Sequence, residues 1–451
     1  MIRFFITAFI SLSLIINLHG QVYHYKTGKV IPVNVHDQIT WKKGIFNNIP
    51  ADYGILVTKE NRNSKNSRLI NIPIIRIKSL SDSVINNPVF ILNGGPGESN
   101  LKARLLFEKL LKQHDIVLIG FRGIDGSVNL DCNCYKNALL NDTLTFNNAE
   151  RIFNTAYDSC LNIWKSKHID ISGYSMDEVI QDIEITRKNL NYNKIDFLAF
   201  SYGTMLSQLY FKNYPQNVNR MVLIGARPLN NYLLSGTNIK NQIEKIYVNF
   251  NQNHFKHDSI TTIINNISKT LNNICNRYSL FNKYRLFFMS LSKLYSTDEI
   301  KKNINIYKKA ASGNNKELKV LYDDFYNNFP KNIVSGDFIL KKQNKVNFIF
   351  ENNYKTFEDS IANSINYWYS PEISLLKFKT TFPSTIYDTV NVMFISGEFD
   401  IVAPSELIKN SNCFKNYNTT TVIIKNAGHL DLFYSKLPEV KQNVIQYLNK
   451  Q

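Results

Sequence analysis

Ile195-Asp-Phe-Leu-Ala-Phe-Ser201-Tyr-Gly203, followed at once by the amphipathic stretch Thr204–Tyr214, decides how this chain is read. An apolar run of strand length meets a sharp turn with a serine at its apex, and a helix begins directly. That is the pattern of a nucleophile elbow, in which a strained turn lifts a serine hydroxyl above the edge of a sheet. The strain requires small residues two before and two after the serine. Here they are Ala199 and Gly203, so alanine meets the steric need while departing from the strict G-x-S-x-G pattern. An ordinary serine in a strand-to-helix turn would look similar, so the flanking segments must decide.

Outward from the elbow, Pro88–Leu92, Asp115–Ile119 and Arg220–Ile224 are short, nearly continuous apolar runs. Such runs suit strands buried on both faces of a parallel sheet. Helical patterns fall between them, around Lys102–Gln113 and over Ser175–Leu190, where Met176, Val179, Ile180 and Ile183 lie close to helical spacing. Upstream, Tyr53–Thr58 and Leu69–Ile77 are β-rich and flank the polar turn Lys59–Ser67, which predicts an antiparallel pair. Residues 21–50 carry only weak pattern.

From about Pro228 to Thr385 the strand-helix rhythm stops. The stretches Ile239–Phe250, Ile260–Tyr278, Glu317–Phe329 and Thr356–Tyr369 read as helices. Val390–Ser396 and Thr420–Ile424 resume the sheet, and Pro438–Leu448 closes as a helix. The expected fold class is α/β: a mostly parallel sheet with helices on both faces, and a helical cap inserted after the sixth strand. The expected division is a signal peptide (1–20), a first part of the core (21–227), the cap (228–385) and a second part of the core (386–451).

The chain has 451 residues, 44% of them hydrophobic and 13% aromatic, which fits a packed globular protein and not a disordered one. Met1–Gln21 opens with Arg3, continues as an apolar run and ends on small Gly20, the pattern of a secretory signal. Secretion or a periplasmic location is therefore expected, with no stable membrane insertion once the signal is cleaved. The formal charge is +17, but the lysines are scattered and no basic stripe is interleaved with aromatics. The excess reads as a composition bias, and nucleic acid is not expected as a partner. Of Cys132, Cys134, Cys160, Cys275 and Cys413, one of the first two is expected to pair with Cys160.

A serine hydroxyl needs a base, an orienter for that base and donors for the developing oxyanion. Asp400 stands just after a strand, in Gly397-Glu398-Phe399-Asp400, where the orienting acid should be; Glu398 and Asp431 are its competitors. His429 follows the last strand in Asn426-Ala427-Gly428-His429, where a tight loop can aim its ring. Asn93-Gly94-Gly95-Pro96-Gly97 follows a buried strand and lets a backbone N–H approach a reacting carbonyl. By position the oxyanion donors are the N–H groups of Gly95 and Tyr202. A phosphate-loop reading fails, because no Gly-Lys-Ser/Thr follows.

In order, the chain thus carries Asn-Gly-Gly-Pro-Gly, Asp115-Ile-Val-Leu-Ile-Gly-Phe-Arg122-Gly123, Phe-Ser201-Tyr-Gly203-Thr, Tyr210–Pro215, Gly-Glu-Phe-Asp400 with Pro404, and Gly428-His429. Together these resemble the secreted branch of the proline iminopeptidase and tripeptidyl aminopeptidase family of α/β-hydrolases, over roughly residues 50–450. The resemblance implies an α/β-hydrolase fold and cleavage of short peptides from the amino end. It implies no metal and no organic cofactor, and maps serine, acid and histidine onto Ser201, Asp400 and His429. It also implies acidic side chains that hold a substrate's amino terminus. Glu244, Asp323, Asp324, Asp337 and Glu351, with Glu98 beside the glycine turn, are the candidates, each of which could equally be a solvated carboxylate. The chain departs from the family's usual residues at Asn93, Ala199 and Gly120-Phe121. The expected function is an exported serine aminopeptidase acting on peptide substrates. The alternative is a carboxylesterase or other acyl hydrolase on the same fold. The elbow serine excludes an aspartate-nucleophile dehalogenase or epoxide hydrolase.

Overall fold

The computed structural model describes residues 37–81, 86–102, 108–229, 236–251, 260–329, 333–336, 364, 390–409, 414 and 417–449. The expected signal segment, Asp337, Glu351, Cys413 and, apart from Ser364, the helix over Thr356–Tyr369 lie outside them.

Nine strands form one sheet: β1 (Gln38–Phe46), β2 (Ile49–Lys59), β3 (Leu69–Ile77), β4 (Val89–Leu92), β5 (Ile116–Ile119), β6 (Ile195–Phe200), β7 (Val218–Ile224), β8 (Asn391–Gly397) and β9 (Asn418–Ile424). Their order across the sheet is β1-β2-β3-β5-β4-β6-β7-β8-β9. The first three are antiparallel, and β5 through β9 run parallel. β4, β5 and β6 are buried at every residue, so both faces are covered, as their nearly continuous apolar runs require. Side chains alternate between two cores. Phe90, Leu92, Phe197 and Ala199 face the helices Met176–Asn189 and Tyr202–Asn213. Val89, Ile91, Leu198 and Phe200 face Leu110, Leu111 and the closing helix Leu437–Leu448.

β1 was not foreseen. Its residues pair with β2 along the whole length, through a two-residue turn at Asn47 and Asn48, both with positive φ. Such a turn matches the twist of a hairpin, and asparagine tolerates it. With β1 counted, the helical insertion follows the seventh strand of the chain and not the sixth. The expected helix at Lys102–Gln113 is, where described, two 3-10 turns, Asn100–Lys102 and Glu108–Lys112.

Helices Gly236–Asn251, Ile260–Arg277, Lys283–Ser292, Thr297–Ala311 and Lys316–Asn328 make up the described insertion. Its core includes Phe287, Phe288 and Phe325, and it is shared with Tyr135, Phe153 and Trp164 from the helices Asn133–Leu140 and Ala149–Ser166. The helical layer therefore draws on two separate excursions from the sheet. The disulfide Cys132–Cys160 ties the earlier excursion internally, which selects Cys132 over Cys134 as the partner. No helix among the described residues is long and apolar enough to cross a membrane.

A buried ionic cluster anchors the loop after β5. Arg122 is fully buried and donates to both carboxylate oxygens of Asp182 at 2.7 Å each, to the carbonyls of Glu60 (2.8 Å) and Gly173 (2.5 Å), and to Glu178 (3.2 Å). Arg62 reaches the same two carboxylates from the loop after β2.

Candidate active site

The three parallel strands β6, β8 and β9 end at the same edge of the sheet, and each hands its chain to a loop with one polar side chain of the site. After β6, Ser201 sits at φ 46°, ψ −112°, a strained conformation for a non-glycine residue. Its N–H donates to the Ile224 carbonyl at 2.8 Å. Gly203 must be small because a Cβ there would stand 2.2 Å from the Leu92 carbonyl oxygen. Ala199 is fully buried without conflict. The elbow pattern thus holds with alanine at its first small position.

Ser201 Oγ and His429 Nε2 are 2.9 Å apart. His429 Nδ1 and Asp400 Oδ2 are 2.7 Å apart, both side chains being almost wholly buried. The other Asp400 oxygen accepts the N–H groups of Val402 (2.9 Å) and Ala403 (2.7 Å). That carboxylate is therefore saturated by backbone on one side and aimed at the imidazole on the other. Chemically, the chain of contacts can take a proton from a serine hydroxyl and stabilise the resulting imidazolium.

Its two competitors are engaged elsewhere. Glu398 accepts Asn426 N–H and Lys425 Nζ, each at 3.0 Å. Burial pushes its carboxyl up, but those two donors prevail and hold it below the ordinary range. Asp431 accepts Gly428 N–H (2.7 Å), Ser296 Oγ (2.6 Å), and Thr297 N–H and Oγ1 (2.9 Å each). It joins the histidine loop to the first turn of the insertion helix Thr297–Ala311.

The glycine turn after β4 faces the serine: a Cβ built on Gly94 would lie 2.8 Å from Ser201 Cβ. Of the two expected oxyanion donors, Gly95 directly follows Gly94 in this turn and Tyr202 directly follows Ser201.

A family model described as the alpha/beta hydrolase fold matches residues 87–436. The chain belongs to this family. Among curated relatives, it is similar to the putative hydrolase YuaR of Escherichia coli (strain K12), 26% identical over 171 residues covering 35% of this chain and 32% of that protein. It is also similar to the serine protease Hip1 of Mycobacterium tuberculosis (strain ATCC 25618 / H37Rv), 29% identical over 177 residues covering 34% and 32%. The chain thus spans about a third of the length of these relatives. Among solved structures, MGS-M2, an alpha/beta hydrolase from a Medee basin deep-sea metagenome library, overlays with a TM-score of 0.40 at 12% identity, covering 85% of this chain and 95% of that one.

In this α/β-hydrolase several supporting residues escaped the sequence reading. Asn100 is buried and binds the carbonyls of Ile91 (3.0 Å) and Ile119 (2.8 Å), while its oxygen accepts Asn93 N–H at 2.7 Å. Asp125 in turn accepts the N–H groups of Asn100 and Phe121. These two side chains fix the glycine turn against the ends of β4 and β5. Gly225, at φ 60°, closes β7 where a Cβ would meet His429 Cε1 at 2.7 Å; the imidazole occupies the space a side chain would need. No local motif signals these roles, since each is a contact between segments distant in sequence.

Of the carboxylates proposed to hold an amine, Asp323 pairs with Lys319 and Asp324 accepts from Asn328, each within one helix. Glu244 lines a cavity whose walls do not include Ser201. Glu98 alone among the described candidates lies against the glycine turn: a Cβ on Gly95 would stand 2.9 Å from its carboxyl carbon. Desolvation pushes the Glu98 carboxyl up to about 7, with the Lys102 ammonium drawing it partly back.

That shift has a sign. The folded protein keeps the Glu98 proton at pH values where the unfolded chain, with a carboxyl near 4.5, has released it. The associated stability is complete below the unfolded value and is lost as pH rises through about 7. Glu98→Gln cannot ionise, so it should gain stability relative to the wild type between about pH 5.5 and about pH 8.5. Thermal melts of both proteins at the two pH values test this; an unchanged difference would show that the carboxyl is not held protonated.

Proposed function

We propose that this α/β-hydrolase is an exported serine aminopeptidase that releases short amino-terminal fragments from peptides through an acyl-enzyme on Ser201. The observation that carries the serine-hydrolase part is the run of contacts Asp400–His429–Ser201, at 2.7 and 2.9 Å. His429 Nε2 takes the hydroxyl proton as Ser201 Oγ attacks the scissile carbonyl. The Gly95 and Tyr202 N–H groups receive the oxyanion, and the protonated imidazole gives its proton to the leaving amine. Water then repeats the sequence on the acyl-enzyme.

Three features support the aminopeptidase part: the ordered family motifs, the weak similarity to the serine protease Hip1, and a partly desolvated carboxylate, Glu98, beside the glycine turn. An incoming ammonium would favour the ionised form of Glu98 and hold the substrate by its end. The insertion, rooted at the edge of the sheet that carries the site, acts as a cap that limits how much peptide enters. Export is supported by the signal-like start and by Cys132–Cys160, since a disulfide persists in an oxidising compartment.

The test compares each peptide with its N-acetylated form. Acetylation should lower kcat/KM by about 2 kcal/mol or more, the cost of stranding a buried charge partner. Equal rates on both forms would rule out the aminopeptidase reading and leave an esterase or an endopeptidase.

A further inference from the structure

The loop that carries Asp400 also borders a cavity that Ser201 does not line. Glu398 and Phe399 before the aspartate, and Pro404, Glu406 and Leu407 after it, line this open cavity of about 680 Å³ together with the insertion helix Gly236–Asn251. Ser201, Gly95, Asp400 and His429 are not among its lining residues. The volume falls within the range of roughly 300–1,000 Å³ that small-molecule sites occupy.

The chemistry of the walls is one-sided. Three carboxylates, Glu244, Glu398 and Glu406, line the cavity against a single ammonium, Lys245, in a chain whose formal charge is +17. Glu244 makes no ion pair or hydrogen bond among the described residues. Gln242, on the same helix and lining the cavity, is only 3% exposed, and its Oε1 is a buried acceptor with no partner among the described residues. Val248, Phe399 and Leu407 supply apolar wall. Surplus acceptors beside apolar surface call for a ligand that brings N–H donors and positive charge on a hydrocarbon stem.

The existing lysine contacts do not block such a ligand. Lys245 pairs with Glu406 at 2.6 Å and Lys425 with Glu398 at 3.0 Å, and three of these four side chains are 42% exposed or more. Exposed pairs of this kind contribute little to stability. Because the protein as a whole repels cations, saturable uptake of one would have to be local.

We propose that this cavity is a second binding site, separate from Ser201, that takes an alkylammonium ligand. Its cation lies among Glu244, Glu398 and Glu406, and its stem lies on Phe399 and Leu407. The same chemistry is offered by a free polyamine and by the basic side chain of a peptide. The inference does not depend on the aminopeptidase reading.

Isothermal titration of the whole protein at about 150 mM salt, with spermidine, Gly-Lys-Gly and uncharged 1,8-octanediol as probes, tests it. Saturable binding of at least one ammonium probe is expected, and none of the diol. Spermidine alone binding identifies a free polyamine as the source; the peptide binding identifies a basic side chain. Glu244→Gln should weaken binding about tenfold or more, the loss of one charge-assisted hydrogen bond. Val248→Trp, which adds bulk to the cavity wall without changing a charge, should weaken it as well. Prior labelling of Ser201 with a fluorophosphonate should leave binding intact. The proposal is overturned if neither ammonium probe binds, if the diol binds equally, if Glu244→Gln binds like the wild type, or if serine labelling abolishes binding. The last outcome would place the ligand in the substrate site.

Discussion

Ser201→Ala is expected to lower turnover by about 10³-fold or more, as with other removals of a nucleophile from a unit of three groups. The same change should abolish labelling by a fluorophosphonate. The reasoning is geometric: the Ser201 hydroxyl lies 2.9 Å from an imidazole nitrogen, on a turn whose φ of 46° holds it clear of the helix it begins. His429→Ala should be as damaging, because neither residue acts without the other. Asp400→Asn should leave the fold intact and still cripple the rate, by favouring the wrong imidazole tautomer. Glu398→Gln should be mild by comparison, since Glu398 is spent on Lys425 and Asn426. A Ser201→Ala protein that still labels would sink the assignment. Glu398→Gln proving more harmful than Asp400→Asn would mean that the wrong acid has been named.

Arg122→Met should destabilise the protein by about 3–5 kcal/mol, the usual cost of leaving buried charges without their partner. Arg122 is fully buried, and its loss strands Asp182 and Glu178 with Arg62 alone. Part of the loss should return in the double variant Arg122→Met/Asp182→Leu, which removes a stranded charge along with its partner. Urea unfolding of the wild type, the single variant and the double variant measures both effects. A single-variant cost under about 1 kcal/mol would mean that the cluster is solvated and not buried. The experiment reaches the site indirectly, because Phe121 and Asp125 on the same loop hold Asn100 and the glycine turn.

The parts of the fold that were legible in the sequence share a cause. β4, β5 and β6 are buried on both faces, so their apolar runs are short and nearly continuous, interrupted only by Asp196 in β6. The helix Met176–Asn189 shows its buried stripe and begins on Ser175, whose hydroxyl accepts Glu178 N–H. Two of the elements that were missed lack such a contrast, whereas the helix Ala149–Ser166, missed as well, keeps Phe153, Ala156, Tyr157, Cys160 and Trp164 at helical spacing. β1 is an edge strand with no residue fully buried, so no face is marked in its composition. Helix Lys283–Ser292 is buried on nearly every side, which erases the 3.6-residue period. That Ser201, Asp400 and His429 come together was legible because each follows a recognisable strand. Asn100, Asp125 and Gly225 were not, because what they do depends on residues that are neighbours only after folding.

Asp431 binds the backbone just before His429 and, with the same carboxylate, the N-terminal turn of the helix Thr297–Ala311. One side chain thus ties the loop of His429 to the helical insertion. A displacement of that helix would break the Asp431 bonds to Thr297 and so loosen the loop that holds the imidazole. The place of that insertion helix and the aim of the His429 ring are therefore mechanically coupled through one carboxylate.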